Sequence, residues 1–275
     1  MIIAQISDFH VRPRGKRAYG GIDTNAMLDA AVAKIVSLDP APDCVVCTGD
    51  LADCGLREEY EVIEQTLARL QMPAFVIPGN HDRREVMRAS LARSHRYLSQ
   101  EADFLDYVID DFPVRLIALD TVVAGRHAGE VCAEREAWLA RTLERGRGRP
   151  TVLLMHHPPF RTGVSAMDPM MCRTQTSFAQ LIARHPDIER IATGHYHRPI
   201  VVRWAGTIGF VAPSTAHQVA LDLRENEPTR LVMEPPALAL HVYREGVGMV
   251  SHVVPIGDFG RARDFELDPE YPGQV

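Results

Sequence analysis

The sequence predicts an α/β fold built around buried sheets, and three observations support this. Short apolar runs rich in Val, Ile and Leu alternate with helical patterns through the first two thirds of the chain, the signature of α/β layering. The 275 residues, 46% of them hydrophobic, are enough to bury a large core in one domain. Several of the apolar runs also stop at small clusters of Asp, Asn and His, and in layered α/β folds the loops at the carboxyl ends of the strands converge on one crevice.

Taken in order, residues 2–6 read as the first strand, and Leu28, Ala31, Val32 and Ile35 then recur at helical spacing behind a cap at Asp23 or Thr24. Residues 44–47 form a second strand. Tyr60, Ile63, Leu67 and Leu70 repeat the helical pattern before Pro73, which cannot continue it. Residues 74–77, 114–119, 151–155 and 188–192 are further strands, with helices over about 133–143 and around Phe178, Leu181 and Ile182. Beyond His197 the texture changes. Residues 200–204, 208–211, 237–243 and 247–254 read as consecutive strands joined by Gly- and Pro-containing turns. We therefore expect a single domain over residues 1–275, in which about 199–257 includes a β-rich lobe, and a surface tail over 264–275.

Composition excludes several function classes. A formal net charge of −6 and a pI near 6.1 give no general attraction to polyanions, which argues against a nucleic acid polymer or an anionic membrane as partner. No apolar run approaches the ~18 residues needed to cross a bilayer. The chain enters a strand-like run at Met1-Ile2-Ile3 without a basic or long apolar leader, so a cytoplasmic location is expected. The five cysteines are odd in number and scattered, as suits a reducing compartment. Cys44 and Cys47 have Cys-x-x-Cys spacing, but three residues apart on a strand they face opposite ways, and they read as small core side chains.

The chemistry lies in what ends each run: Asp8 and His10, then Asp50, then Asn80, His81 and Asp82, then His156 and His157, then His195 and His197. Asp8 and His10, two apart on an extended segment, are expected to project to one side, as are His195 and His197. Gly49, Gly79 and Gly194 each precede one of these residues, where a missing Cβ permits a close backbone approach. Imidazole nitrogen with carboxylate or amide oxygen is the donor set of Fe, Zn, Mn or Co, whereas an all-oxygen shell favours Mg or Ca. With Asp50 as a shared bridge, Asp8, His10 and His197 complete one site, and Asn80, His156 and His195 a second. Two such ions about 4 Å apart bring water toward deprotonation at neutral pH and clamp a phosphoryl group, so the expected reaction is attack by a metal-bound hydroxide. Two divalent ions, two carboxylates and one hydroxide leave one positive charge, which a diester monoanion neutralises.

His81 has no place in either ligand set and is the expected contact to phosphate or to the leaving alkoxide. Asp82 is expected to orient a histidine or its loop, and His157 either to do likewise or to be structural beside Pro158 and Pro159. Taken singly, an Asp-x-His or a Gly-Asp is an ordinary turn. The clusters at 79–82 and 194–197 carry more weight, because burying such polar groups needs compensation.

These blocks, Asp-x-His, Gly-Asp, Gly-Asn-His-Asp, His and Gly-His-x-His, resemble the signature of the calcineurin-like metallophosphoesterases across 8–197. Similarity at 12–19, at Met167-Asp168-Pro169 and at Ala216-His217-Gln218 looks like the bacterial glycerophosphodiesterase branch, near the class III cyclic-nucleotide phosphodiesterases. The resemblance implies a four-layer αββα sandwich, Asp50 as the bridge, and a small β-rich cap that serves oligomerisation; Asp50 and His81 are the expected catalytic residues. It also implies that Asn80 and His81 contact substrate and suggests Arg14, Tyr19 and His217 as further contacts. Each of those three has an ordinary alternative, as solvated charge, loop packing or satisfied histidine.

The expected function is thus a dinuclear phosphodiesterase for small, glycerophosphodiester-like substrates. The alternatives are a 3′,5′-cyclic nucleotide phosphodiesterase, a broad phosphomonoesterase, or a non-catalytic interaction scaffold of the same fold. A homo-oligomer is expected.

Overall fold

The central strands are buried along nearly their whole length, and they divide between two sheets. The computed structural model describes residues 1–98, 102–264, 266 and 270. In the first sheet β1 (Ile2–Ile6), β2 (Cys44–Thr48) and β3 (Ala74–Ile77) run parallel. β12 (Ala237–Arg244) lies antiparallel on the other edge of β1, and β13 (Gly248–Pro255) lies beyond it. The second sheet comprises β4 (Tyr107–Ile109), β5 (Arg115–Ala118), β6 (Thr151–Leu154), β7 (Ile188–Thr193), β8 (Ile200–Trp204) and β9 (Thr207–Val211), in the order β4-β5-β6-β7-β9-β8.

Alternation sorts the layers. Leu116, Ala118, Val152, Leu154 and Ala192 of the second sheet join one core with the first sheet and with α1 (Thr24–Val36), α2 (Arg57–Leu67) and α3 (Arg84–Leu91). Ile117, Leu153 and Ile191, on the opposite face, pack against α4 (Ala133–Arg145) and α5 (Thr176–Ala183) through Leu139, Leu143, Phe178 and Leu181. The result is helices, sheet, sheet, helices. Between the sheets the Gln5 amide donates to Thr48 Oγ1 and to the Thr193 carbonyl, both at 2.9 Å. Its oxygen accepts from His241 Nε2 at 2.9 Å. A buried amide satisfied on both ends fixes how the sheets register.

Asp23 caps α1, accepting from the Ala26 amide at 3.1 Å. Glu59, fully buried, accepts from the Cys54 and Leu56 amides at the start of α2. This helix ends at Leu67, so Leu70 lies beyond it rather than in its last turn. The sequence reading omitted α3 and β4. With only Met87 and Leu91 buried, α3 is too short to show a repeating stripe. Of the strands expected over 199–257, β8, β9, β12 and β13 complete the two sheets, so that region is not a separate lobe. What stands apart is a ribbon of β10 (Gln218–Val219) and β11 (Leu231–Val232). The expected tail over 264–275 lies outside the described residues except at 264, 266 and 270.

His241 yields a test of the inter-sheet network. Burial, followed by the charge of Arg190, holds its pKa down at about 3, against ~6.5 in an unfolded chain. Below pH 6.5 the unfolded chain therefore takes up a proton that the folded chain refuses, and stability falls as pH drops toward 3. The unfolding free energy from urea titrations should lose up to ~1.4 kcal/mol per pH unit from this group. His241→Gln should show a shallower slope between pH 6.5 and 4.5. Superimposable slopes would mean that His241 is not kept neutral.

Candidate metal centre

Every cluster expected from the sequence follows the carboxyl end of a parallel strand: Asp8 and His10 follow β1, Asp50 follows β2, Asn80 and His81 follow β3, His156 follows β6, and His195 and His197 follow β7. The backbone that aims them is not extended. Asp8, His10, Asp50, His195 and His197 have φ of 56, 49, 48, 71 and 51°. The expectation that strand alternation would bring Asp8 beside His10 and His195 beside His197 is thus corrected, because left-handed turns do so. This conformation costs a non-glycine residue ~1 to 2 kcal/mol and persists only where the surroundings enforce it. Enforcement is visible in the glycines. A Cβ on Gly49, whose φ is 89°, would lie 2.4 Å from His156 Nδ1, and one on Gly79 would lie 2.2 Å from the Asp50 amide.

Ligand-type atoms of Asp8, His10, Asp50 and His197 all lie within 4.8 Å of one another. His10 Nε2 is 3.2 Å from His197 Nε2, and His197 Nε2 is 3.4 Å from Asp8 Oδ1. On the other side of Asp50, His156 Nε2 is 3.4 Å from Asp50 Oδ2 and 3.2 Å from Asn80 Oδ1. His195 closes this side through its ring, whose nitrogen groups with those of His156 and His157. All of these groups except Asn80 are buried. The structure therefore brings the seven predicted ligands to one place, in two sets that share Asp50.

The hydrogen bonds on the far side of each ring decide what faces inward. His156 Nδ1 donates to the Thr48 carbonyl at 2.8 Å and His197 Nδ1 to the His217 carbonyl at 2.9 Å. His10 Nδ1 donates to Asp53 Oδ1 at 3.3 Å. A carbonyl or carboxylate only accepts, so each of these nitrogens carries the proton and each Nε2 presents a lone pair to the centre. His195 is oriented the other way, with Nε2 donating to the Met170 carbonyl at 3.1 Å. Where both rings are neutral, the His10 and His197 lone pairs 3.2 Å apart repel, so something positive, a proton or a cation, belongs there.

The titration pattern says the same. Burial opposes charge on His156, but Asp50 and Asp8 hold its pKa up at about 9. Burial likewise opposes charge on His10, but the Asp53 hydrogen bond and Asp50 raise it. Burial, then His10, depresses His197 to about 3. Desolvation raises Asp8 to about 6 against the pull of His156, whereas Asp50 is driven well below the usual range by His156 and His81 in spite of its burial. Without metal, His156 beside Asp50 therefore keeps a second proton at neutral pH, and the charged form of His10 beside His197 is favoured. These are the two positions that cations would take. A donor set of this kind, neutral imidazoles, carboxylates and an amide oxygen with each ring oriented from behind, fits two divalent ions.

Two carboxylates outside the ligand set hold the loops. Asp82 accepts from the Leu51, Ala52 and Gly79 amides and from the Tyr60 hydroxyl, so of its two expected roles it serves the loop and not a histidine. Asp53, which the sequence reading passed over, orients His10 with its side chain and His81 with its carbonyl, which accepts from Nδ1 at 2.7 Å. Arg12 in turn holds Asp53 at 3.0 Å. His81 is partly exposed with its ring edge-on to His10, and its amide donates to Asp50 Oδ1 at 2.9 Å. His157 bonds Thr121 Oγ1 and the His127 carbonyl and has the structural role.

A cavity of about 360 Å³ opens onto the centre. Tyr19 and His217 line it, their rings 4.6 Å apart. Burial, then His197 and His10, depresses His217 to about 2, so it is a neutral wall. Met167, Met170, Val219 and Leu231 also line the cavity, the last two from the β10–β11 ribbon, with Thr229 and Arg230 beside them. Arg14 is not part of it. Its guanidinium donates to Gln65 on α2, and it lines a separate surface depression, because the loop turns it outward. His127 does line the cavity and was not foreseen, since it ends no apolar run and sits on a loop without periodicity.

Residues 1–199 match the family model described as calcineurin-like phosphoesterase. A probable glycerophosphodiester phosphodiesterase GpdQ of Arcobacter nitrofigilis is 36% identical over 94% of both chains. The glycerophosphodiester phosphodiesterase GpdQ of Enterobacter lignolyticus is 35% identical, covering 88% of this chain and 86% of its own. A probable cyclic nucleotide phosphodiesterase of Rhodopseudomonas palustris is also 35% identical, over 90% and 89%. Among solved structures a dimetal phosphatase of Danio rerio superposes with a TM-score of 0.65 at 14% identity, covering 94% and 99%, which shows a shared fold.

Loading a cation at His156 must expel its proton. At pH 7, calorimetric titration of the metal-free protein with Mn²⁺ or Zn²⁺ should show an enthalpy that changes with the buffer's ionisation heat. His156 accounts for about one proton of that release, and its share should disappear as pH rises through about 9. An enthalpy independent of buffer at pH 7 would contradict the assignment.

Proposed function

Because the chain belongs to the calcineurin-like phosphoesterase family, we infer that it is a metal-dependent phosphodiesterase acting on small open-chain diesters of the glycerophosphodiester type. The observation that carries the mechanism is the convergence of Asp8, His10, Asp50 and His197 within 4.8 Å, with Asn80 and His156 on the far side of Asp50. Asp8, His10, Asp50 and His197 would hold one ion, and Asp50, Asn80, His156 and His195 the other. Bound there, two divalent cations supply a lowered water pKa and charge to offset the phosphate.

The chain's own residues do the rest. Asp50, fully ionised, sits between the two ligand sets. His81 donates from Nδ1 to the Asp53 carbonyl, and with Nε2 protonated as well the ring would donate to a phosphoryl oxygen or to the departing alkoxide. The apolar wall of Met167, Met170, Val219 and Leu231 excludes water from one side of the centre. With N and O donors only, Fe, Zn, Mn and Co all suit the sites, and availability decides among them.

Several features support the remaining readings. Asn80 and His81 line both the cavity at the centre and a second cleft, which suits a diester with two separate arms. The relative of Rhodopseudomonas palustris favours 3′,5′-cyclic nucleotides as the second reading. Leu221, Leu223, Leu231 and Met233 expose apolar surface on and beside the ribbon, which favours a homo-oligomer formed through it. All five cysteines are unpaired, in keeping with the cytoplasm, and among the described residues no helix is long and apolar enough to cross a membrane.

Initial rates on glycerophosphoethanolamine, cyclic AMP and a phosphomonoester, with metal content measured on the same samples, test this reading. The glycerophosphodiester should have the highest kcat/KM. Asp50→Ala and Asn80→Ala should lose more than the ~100-fold that removal of a mere orienting partner costs, with less than two ions retained. Full turnover in both variants would sink the mechanism.

A further inference from the structure

The metal centre stands between two spaces of opposite character. On one side is the cavity under the ribbon, walled by Met167, Met170, Val219 and Leu231. On the other is a larger cleft of about 760 Å³ whose lining is chiefly charged and polar. Asn80 and His81 belong to both linings, and the segment 122–127 divides them, with Val122 and Gly125 facing the cleft and His127 the cavity.

Most charged groups of the cleft already have partners. Asp53 is held by Arg12, Asp82 by three backbone amides and Tyr60, and Arg84 by Asp120 with Nη2 to Oδ1 at 3.0 Å. Arg88 donates to the Ala102 carbonyl. Among the described residues this leaves Arg83, Glu85 and Asp103 as open charges. Arg83 is the nearest of these in sequence to His81. It is exposed, and its stem packs over Gly55, where a Cβ would come within 2.6 Å of Arg83 Cγ. The stem is therefore fixed at the rim while the guanidinium stays free for an acceptor.

Resting on the phosphodiesterase reading above, we infer that the Arg83 cleft is a second subsite that receives one ester arm of the diester, and that Arg83 selects an arm carrying oxygen acceptors such as the hydroxyls of glycerol. The second arm lies under the ribbon, where the methionine and aliphatic side chains accept an aryl group and the Tyr19 ring accepts the ethanolammonium. An aryl arm forced into the cleft strips water from open charges and returns no hydrogen bond, and that penalty gives the discrimination.

The test compares kcat and KM for glycerophosphoethanolamine and for bis(4-nitrophenyl) phosphate in wild type, Arg83→Ala, Arg83→Lys and Leu231→Ala, with thermal midpoints as a folding control. The ratio of kcat/KM, glycerol ester over aryl ester, should fall about tenfold in Arg83→Ala, the loss of one charged hydrogen bond. Most of the change should lie in KM, and Arg83→Lys should recover part of it. Leu231→Ala should move the ratio the opposite way. An unchanged ratio in folded Arg83→Ala, or equal losses on both esters, overturns the subsite. If the wild type turns over neither diester, the phosphodiesterase reading itself fails.

Discussion

The constraint on which the rest of the structure depends is the crowding of lone pairs at Asp50. Three histidine rings are locked from behind with Nε2 pointing inward, and they meet two carboxylates and an amide oxygen at 3.2 to 3.8 Å. Buried acceptors that face one another are unfavourable unless positive charge lies among them. A proton on His156 supplies that charge when metal is absent, with His10 shifted the same way, and divalent ions would supply more of it.

The fold meets this requirement by rigidity. Five of the ligand-type residues lie in left-handed backbone, held by contacts in the layer behind them. Asp82 ties the loops after β2 and β3 together, the amide of His195 donates to Asp8 at 3.0 Å, and the Ser214 hydroxyl donates to the Asp8 carbonyl at 2.8 Å. Beneath them Gln5 joins the two sheets. Strain at the ligands is thus offset by hydrogen bonds in the layer behind them, and the pair of sheets acts as the platform on which the ions sit.

The same architecture divides catalysis from recognition. Strand ends carry the ligands, while the walls come from irregular segments: the loop at 122–127, the turn around Met167 to Met170, and the β10–β11 ribbon. Such segments change without disturbing the sheets, which accounts for relatives of equal identity bearing names for different diesters.

The sequence by itself determined most of the strands, most helices and all seven ligand-type residues, because buried strands need continuous apolar runs and the polar groups that end them have few ordinary explanations. It also determined the reaction class, through the joint order of the five clusters. Only the tertiary structure decided how the ligands are aimed, since left-handed turns at Asp8, His10, His195 and His197 leave no periodicity to read. It alone turned Arg14 away from the site, brought in Asp53 and His127, and assigned β8, β9, β12 and β13 to the two sheets. The reason is the same in each case. Local composition records whether a residue is buried or polar, but which distant partner it meets depends on how the sheets close over one another.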